Sequence, residues 1–526
     1  MKTLFVIEAN GKVPTLTDLL RYGGYPHVVP PVLVLPTKGH VARLAPGTSA
    51  LDPQGRMTRR VIDPARRTEV AAIRRAALAA DVIIVATDDD DEGNVIARDL
   101  ATVAFEPGRS FWRCRLRTLD PEQLTEALRQ STRQTASDAN GSALQGDVRR
   151  LVDFGIGFGL TKVVGNRRIP VGRVLSSSLV DLAERPAPLG QQTFSAPALH
   201  GGEPFIATIN RVHVVRHRPL PPLPVVQVLQ GVGATAWDYA AATSAIALQT
   251  QRSVSEASAS LQRCYEQGAV SYPRTLSTAM SSSGLDACRA IAQRHGSTFV
   301  AERIASTLRG AHEAVRPTAR ANLQRALLHD LDATTALLVA RQAIRAGQNY
   351  LIEIPDHSLV PQEILDTGAR FARVSLQGFL GWKDPKKPIR SPWSPWPADV
   401  ALLHALSSRE LGRPSTWSKH VDRLLQRGML TSSLNLGPVG TVYASVSIDQ
   451  GISAQTSQLV EAQIAGLRQR PDAGAGPIAL GILHSVLPSH ASSLAYSALR
   501  TSVGAEATVD VDPPDLIKNE DSFEPW

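Results

Sequence analysis

The run Thr87-Asp-Asp-Asp-Asp-Glu-Gly93 leaves this chain few ways to fold. Its five successive carboxylates repel one another, and they follow directly on the apolar run Asp81-Val-Ile-Ile-Val-Ala-Thr87, which reads as a buried strand. Such a cluster at a strand end calls for a cation. In an extended loop alternate side chains share a side, which groups Asp88, Asp90 and Glu92 and turns Asp89 and Asp91 away. Hard oxygen ligands of this kind suit magnesium, which keeps several waters and bridges to phosphate. Gly93 allows a tight turn into a helix expected from Asn94. A solvated acidic turn capping that helix is the other reading, since carboxylates favour helix N-termini. The place after a buried strand of a parallel sheet, where ligands bind, favours the metal site.

The segments around this loop set the fold class. Thr3 to Ile7 reads as a buried strand, and Leu16, Leu19 and Leu20 mark a helix closed by Gly23 and Gly24. Val28 to Leu35 reads as a strand pushed to a sheet edge by Pro30 and Pro31. Arg67 to Ala80 has helical spacing, and Phe111 to Leu119 alternates as an exposed strand would. This order argues for an α/β domain with a mostly parallel sheet and helices on its faces. Pro121 to Glu184 is helical in pattern. Two β-rich segments, Thr193 to Leu229 and Tyr350 to Trp382, flank helices at Ser253–Gly268 and Ala333–Gly347, so they could pair into one domain that the chain leaves and re-enters. Val400–Gly428 reads as helical, Leu436–Ile448 as a hairpin, and Asp510 to Trp526 as a loose acidic tail.

The chain has 526 residues, which suggests several domains. Lys plus Arg exceed Asp plus Glu by eight, an excess that permits a polyanionic partner without establishing one. Only Cys114, Cys264 and Cys288 are present, so these cysteines cannot build a four-cysteine zinc ribbon. Lone thiols fit a reducing compartment, and no apolar stretch is long enough to span a membrane. The expected location is the cytoplasm.

The pattern Asp88-x-Asp90-x-Glu92-Gly93 after a strand, with Glu8 at the end of the first strand, resembles the Toprim domain. Lys12, four residues after Glu8, matches a lysine of the topoisomerase branch, although that branch usually reads Glu-Ser-Pro-x-Lys and this chain reads Glu8-Ala9-Asn10-Gly11-Lys12. Val6 and Val13 break the Walker pattern around Lys12, so no nucleotide site is expected. Tyr272-Pro273-Arg274-Thr275 resembles the active-site segment of type IA DNA topoisomerases, with Leu276 where that family has Asp. An isolated Tyr-Pro is otherwise an ordinary turn. Further matches, in order, are Arg149-Arg150-Leu-Val-Asp153, Val171-Gly172-Arg173-Val174 (with Leu175 in place of Gln), His312-Glu313-Ala314-Val315-Arg316-Pro317 and Gly412-Arg413-Pro414-Ser415-Thr416.

The resemblance implies a multidomain α/β plus α and β protein, a four-domain torus with an N-terminal Toprim domain. The implied domains are 1–125 (Toprim), 126–190 with 391–485 (helical, DNA-binding), 191–252 with 351–390 (β-rich hinge), 253–350 (helical, carrying Tyr272) and a tail, 486–526, without a zinc ribbon. It implies that Tyr272 forms a 5′-phosphotyrosine link to one DNA strand, aided by Lys12, Arg274 and His312, with Glu8 as general acid. Arg150, Arg173, Arg316, Arg413 and Thr416 would contact DNA, and Asp88, Asp90, Glu92 and Glu8 would hold magnesium. The implied function is relaxation or unlinking of DNA without ATP. Protein partners would serve in place of the zinc-ribbon tail. The competing function is a Toprim nuclease, which has no need of Tyr272.

Overall fold

In the computed structural model the described residues are 2–164, 172–185, 192–199, 204–209, 220–230, 234–305, 307–308, 312–321, 330–348, 350–376, 396–431, 434–469 and 474–501. The expected tail at Asp510–Trp526 lies outside them.

The N-terminal unit is a five-stranded sheet in the order Val32–Pro36, Thr3–Ile7, Val82–Ala86, Phe111–Arg113, Thr132–Gln134. The first four strands are parallel and the last is antiparallel. Apolar residues alternate between two cores across this sheet, as a strand period of two requires. Leu4 and Val6 face Val70, Ile73 and Leu100, whereas Phe5 and Ile7 face Leu16, Leu20, Leu124 and Leu128. Ile7 is in register with Ala86, so Glu8 and the acidic loop leave the same sheet edge side by side. The Pro30–Pro31 pair precedes an edge strand, as its lack of donors demands.

A 26-residue helix, Ala139–Val164, carries the chain from this unit into the helical part. It packs on the helix Asp91–Ala104 that follows the acidic loop, and on Ala475–Val486 and Ser489–Arg500. The largest core joins the helices Tyr239–Thr250, Val254–Glu266, Leu331–Ala346, Ala398–Ser408 and Pro414–Gln426 around Tyr265, Trp417 and Leu424. The two β-rich segments do pair: Val225–Gln230 lies antiparallel to Tyr350–Pro355, which pairs with Arg373–Leu376. Phe194, Phe205, Leu223, Ile364 and Phe371 fill the space under them. Among the described residues no helix is long and apolar enough to cross a membrane.

Several elements differ from the sequence reading. The helix after the acidic loop begins at Asp91, not Asn94. Phe111–Leu119 is not an exposed strand: only Phe111–Arg113 is strand, and Phe111, Arg113, Cys114 and Leu116 are buried. The expected hairpin at Leu436–Ile448 is the helix Pro438–Asp449. Pro438 opens its first turn, and burial of Tyr443, Ala444 and Ser447 on one face overrides the β preference of its valines. The helix Tyr239–Thr250 packs on Val254–Glu266 rather than joining the β-rich part, and Ser489–Arg500 is a packed helix rather than tail.

Candidate active site

The acidic loop is held by its own backbone. Asp90 caps the helix by accepting from the Gly93 N–H at 2.7 Å, and the Thr87 hydroxyl donates to the Gly93 carbonyl at 2.7 Å. A Cβ at Gly93 would stand 2.1 Å from the Asp88 carbonyl oxygen, so only glycine permits this closure. Beneath the loop, buried Arg113 donates to the carbonyls of Thr87 and Asp88, each at 3.1 Å, and to Asn94 Oδ1 at 3.0 Å.

A segment from the helical part is laced onto this loop. The Tyr272 N–H donates to the Arg117 carbonyl at 3.2 Å, and the Ser271 N–H to the Arg316 carbonyl at 2.9 Å. The Tyr272 hydroxyl donates to Asp90 Oδ2 at 3.0 Å. Its ring lies 4.3 Å from that of His312 and 5.4 Å, edge on, from that of Tyr265. Tyr265 donates to Asp88 Oδ1 at 3.3 Å. Lys12, fully buried, pairs with the same carboxylate and lies 4.4 Å over the Tyr265 ring.

The electrostatics of this pocket are unbalanced. Burial, then Asp88 and Asp90, raise the Glu8 carboxyl to about 8, more than Lys12 and Arg274 can offset. Glu8 is therefore protonated at neutral pH and can give up a proton. Burial, then Asp90 and Asp88, hold the Tyr272 phenol well above its ordinary value. Burial would lower Arg274, but Tyr272, Asp88 and Glu8 beside it outweigh that and raise it. Burial also lowers His312, despite three nearby aspartates. The arrangement thus collects a buried hydroxyl, a protonated carboxyl and two fixed cations, the parts a phosphoryl transfer needs.

The structure brings Glu8, Lys12, Asp88, Asp90, Tyr272, Arg274 and His312 together. It does not bring Glu92 to them. Because the helix starts at Asp91, Glu92 lies in its first turn and loses the alternation of an extended loop. It pairs instead with His40 at 2.6 Å and Arg150 at 3.3 Å. Burial opposes that pairing, but these partners hold Glu92 down to about 2. Asp89 pairs with Arg117 at 2.7 Å, and Asp91 with Arg149 and Arg413 at 2.9 and 2.8 Å.

Asp88 and Asp90, whose charges help to raise Glu8, are the hard oxygen donors here that suit a hard cation. Among the described residues, no three His, Cys, Asp or Glu side chains stand close enough to hold a metal ion. The donor chemistry fits magnesium, while Glu92 is engaged elsewhere.

Two of the four arginines expected on a DNA groove are turned inward. Arg316 is fully buried between Asp120 at 3.0 Å and Glu313 at 2.6 Å. Arg173 is buried against Asp153 at 2.6 Å and Glu461 at 2.9 Å. Neither offers its guanidinium to a ligand here, because each is neutralised by two carboxylates. Arg413 and Arg150 keep part of their surface exposed. The Thr416 hydroxyl donates to the Arg413 carbonyl at 3.1 Å, within its own helix start. Tyr265, Arg113, Asp120 and Glu461 carried no sequence signal of their own. Tyr265 sits with Val254, Ala257 and Leu261 on one buried helix face, where its spacing reads as packing.

A Toprim domain model matches residues 3–115. The DNA topoisomerase 1 proteins of Xylella fastidiosa strains Temecula1 and 9a5c are each 28% identical over 193 residues, covering 35% of this chain and 22% of theirs. The chain thus matches about a fifth of the length of these curated relatives. A solved full-length topoisomerase I from Thermotoga maritima superposes with a TM-score of 0.61 at 16% identity, covering 92% of this chain and 90% of that one. The chain therefore resembles the type IA topoisomerases in local sequence and, almost end to end, in fold. A Toprim domain is a metal-binding domain.

Proposed function

We propose that this chain, a Toprim protein with the fold of a topoisomerase I, is a type IA DNA topoisomerase that cleaves one strand with Tyr272. The observation that carries the reading is the buried Tyr272 hydroxyl resting on Asp90 of the acidic loop, among Glu8, Lys12 and Arg274. A nuclease using the loop alone would have no use for a tyrosine there.

In the proposed reaction the Tyr272 hydroxyl passes its proton to Asp90 Oδ2, 3.0 Å away, as its oxygen attacks the scissile phosphorus. The bond from phosphorus to the 3′ oxygen breaks, and Glu8 protonates that leaving oxygen. Lys12 and Arg274 offset the charge that grows on the phosphoryl oxygens. The reverse sequence reseals the strand, with Glu8 taking the proton back. The phosphotyrosine bond conserves the energy of the phosphodiester, so ATP is not required. Magnesium, which Asp88 and Asp90 would hold, would supply positive charge near the backbone phosphate. Passage of a second strand through the break would relax negative supercoils or unlink DNA. Arg150 and Arg413, which keep exposed surface, are proposed to follow the single strand towards Tyr272.

The test is a labelled single-stranded oligonucleotide mixed with the protein and denatured with detergent, with and without magnesium. An adduct on the 5′ end made at the break, absent in Tyr272→Phe, is the expected result. An adduct of equal yield in Tyr272→Phe would remove the reading. Magnesium-dependent cutting with no adduct would move the protein to the Toprim nucleases.

A further inference from the structure

The segment that carries Tyr272 is tied to the N-terminal unit by two residues that the proposed reaction does not use. Asp120 stands at the cap position of the helix Pro121–Arg129, yet its side chain makes no bond to that helix. An aspartate there ordinarily accepts from the first turn. This one faces the helical part instead: Oδ1 accepts from the Ala319 N–H and Oδ2 from Arg316 Nη1, each at 3.0 Å. Arg316 is fully buried, with Nη2 on Glu313 at 2.6 Å and Nη1 also on the Pro317 carbonyl at 2.8 Å. Gly284 closes the space around it, since a Cβ there would stand 2.6 Å from Arg316 Nε. A guanidinium enclosed in this way cannot turn to water, so its acceptors fix where it points.

The backbone of Arg316 carries that constraint to the tyrosine. Its N–H donates to Ser271 Oγ at 3.1 Å, and its carbonyl accepts from the Ser271 N–H at 2.9 Å. Ser271 Oγ donates in turn to the Ala314 carbonyl at 3.0 Å, and the Thr318 N–H to the Ala269 carbonyl at 3.0 Å. Ser271 is buried and directly precedes Tyr272. The contacts therefore run from Asp120, on the unit that bears the acidic loop, through Arg316 to the backbone beside the nucleophile. A buried ion pair adds little stability over apolar side chains of similar volume, but its directed bonds fix one geometry. An attacking oxygen needs such a geometry, because a displacement of about 1 Å can cost about a hundredfold in rate. We propose that Asp120 is a positioning residue for Tyr272, acting through Arg316. This rests on the proposed function and names what holds its nucleophile over the acidic loop.

The test compares the full wild-type chain with Asp120→Asn and Ala319→Pro. An amide has one acceptor oxygen, so Asp120→Asn can serve Arg316 or Ala319 but not both, while Glu313 still pairs with Arg316. Ala319 is exposed and is the second residue of a turn closed by the Ala321 N–H on the Thr318 carbonyl at 3.1 Å. Proline suits that position, so Ala319→Pro removes one bond to Asp120 and leaves every charge in place. The first readout is hydrogen exchange at the Tyr272 amide, which donates across the junction to the Arg117 carbonyl. Exchange should quicken about tenfold in Asp120→Asn and about threefold in Ala319→Pro. The second readout separates rate from affinity. With saturating single-stranded oligonucleotide, the rate constant for adduct formation should fall by about those same factors, while affinity stays within about twofold of wild type. Two results would overturn the positioning role alone: wild-type exchange at Tyr272 in both variants, or a wild-type rate constant with a smaller active fraction, as a purely structural residue gives. Lost affinity at an unchanged rate constant would overturn it too, by returning Arg316 to DNA. No Tyr272-dependent adduct in the wild type would overturn the proposed function, and this role with it.

Discussion

The acidic loop faces two ways, and the two sides treat charge differently. On the side of Asp88 and Asp90, buried groups are left short of partners, so Glu8 rises to about 8 and Tyr272 is held well above its ordinary value. On the side of Asp91, three arginines from distant parts of the chain converge on Glu461: Arg149 at 3.0 Å, Arg173 at 2.9 Å and Arg413 at 3.3 Å. Burial alone would raise Glu461, yet these guanidiniums hold it at about 2. A saturated network resists further chemistry and ties helices together. An unsaturated one is where a phosphate or a cation would be stabilised on arrival. The same residue types therefore serve structure on one side and reaction on the other, according to how fully each charge is matched.

The sharpest way to break this contrast is Glu461→Gln. It leaves three buried or half-buried guanidiniums short of a carboxylate and should cost about 3 kcal/mol of stability at neutral pH, read from denaturant midpoints. Cleavage measured on the folded fraction should stay within a few-fold of wild type. A stable variant with lost cleavage would reverse the assignment of roles. The pH dependence follows in sign. Glu461 is lowered from 4.5 to about 2 on folding, so its contribution is present above pH 4.5 and is lost as pH falls towards 2. Thermal melts of Glu461→Gln should fall less steeply across that window than those of wild type.

On the reactive side, Lys12→Ala should slow adduct formation about a hundredfold, as loss of a charge-stabilising donor does. A rate within a few-fold of wild type would remove Lys12 from the reaction. Gly93→Ala comes next: the new Cβ must move the Asp88 carbonyl, at about 1–3 kcal/mol, and should shift the loop that carries Asp88 and Asp90. Unchanged melting and unchanged magnesium dependence would show that the loop yields freely. The smallest effect is expected from Arg413→Ala. Its side chain is partly exposed, so the loss should be about 1 kcal/mol, and any larger drop in single-strand affinity would mark it as a DNA contact.

The strands Thr3–Ile7 and Val82–Ala86, the helices at Leu16 and Val70, and the loop from Asp88 were all legible from local pattern. Each depends on periodicity or on a charge cluster that a short window contains. The expected grouping of Glu92 with Asp88 and Asp90 differs from what is seen, because the start of a helix, three residues earlier than Asn94, changed which side chains share a face. Leu436–Ile448 was misread because its valines favour strands, while the burial that decided for a helix comes from other elements. Arg173 and Arg316 stood in the right motifs, but local sequence could not reveal that Glu461 and Asp120 lie opposite them.

By itself the sequence determined the parallel α/β unit, the acidic loop at its sheet edge and the candidates Glu8, Lys12, Tyr272 and Arg274. The unit and the loop follow from strand and helix periods and from residue chemistry, which act over a few positions, and the four candidates from the resemblance of their short motifs to the Toprim and topoisomerase patterns. Only the tertiary structure decided that Tyr272 rests on Asp90, that Tyr265 and Lys12 share Asp88, and that Arg149, Arg173 and Arg413 meet at Glu461. Those contacts join residues far apart along the chain. Burial and Coulomb interaction then set the charge of each group, and both depend on distance through space rather than along the chain.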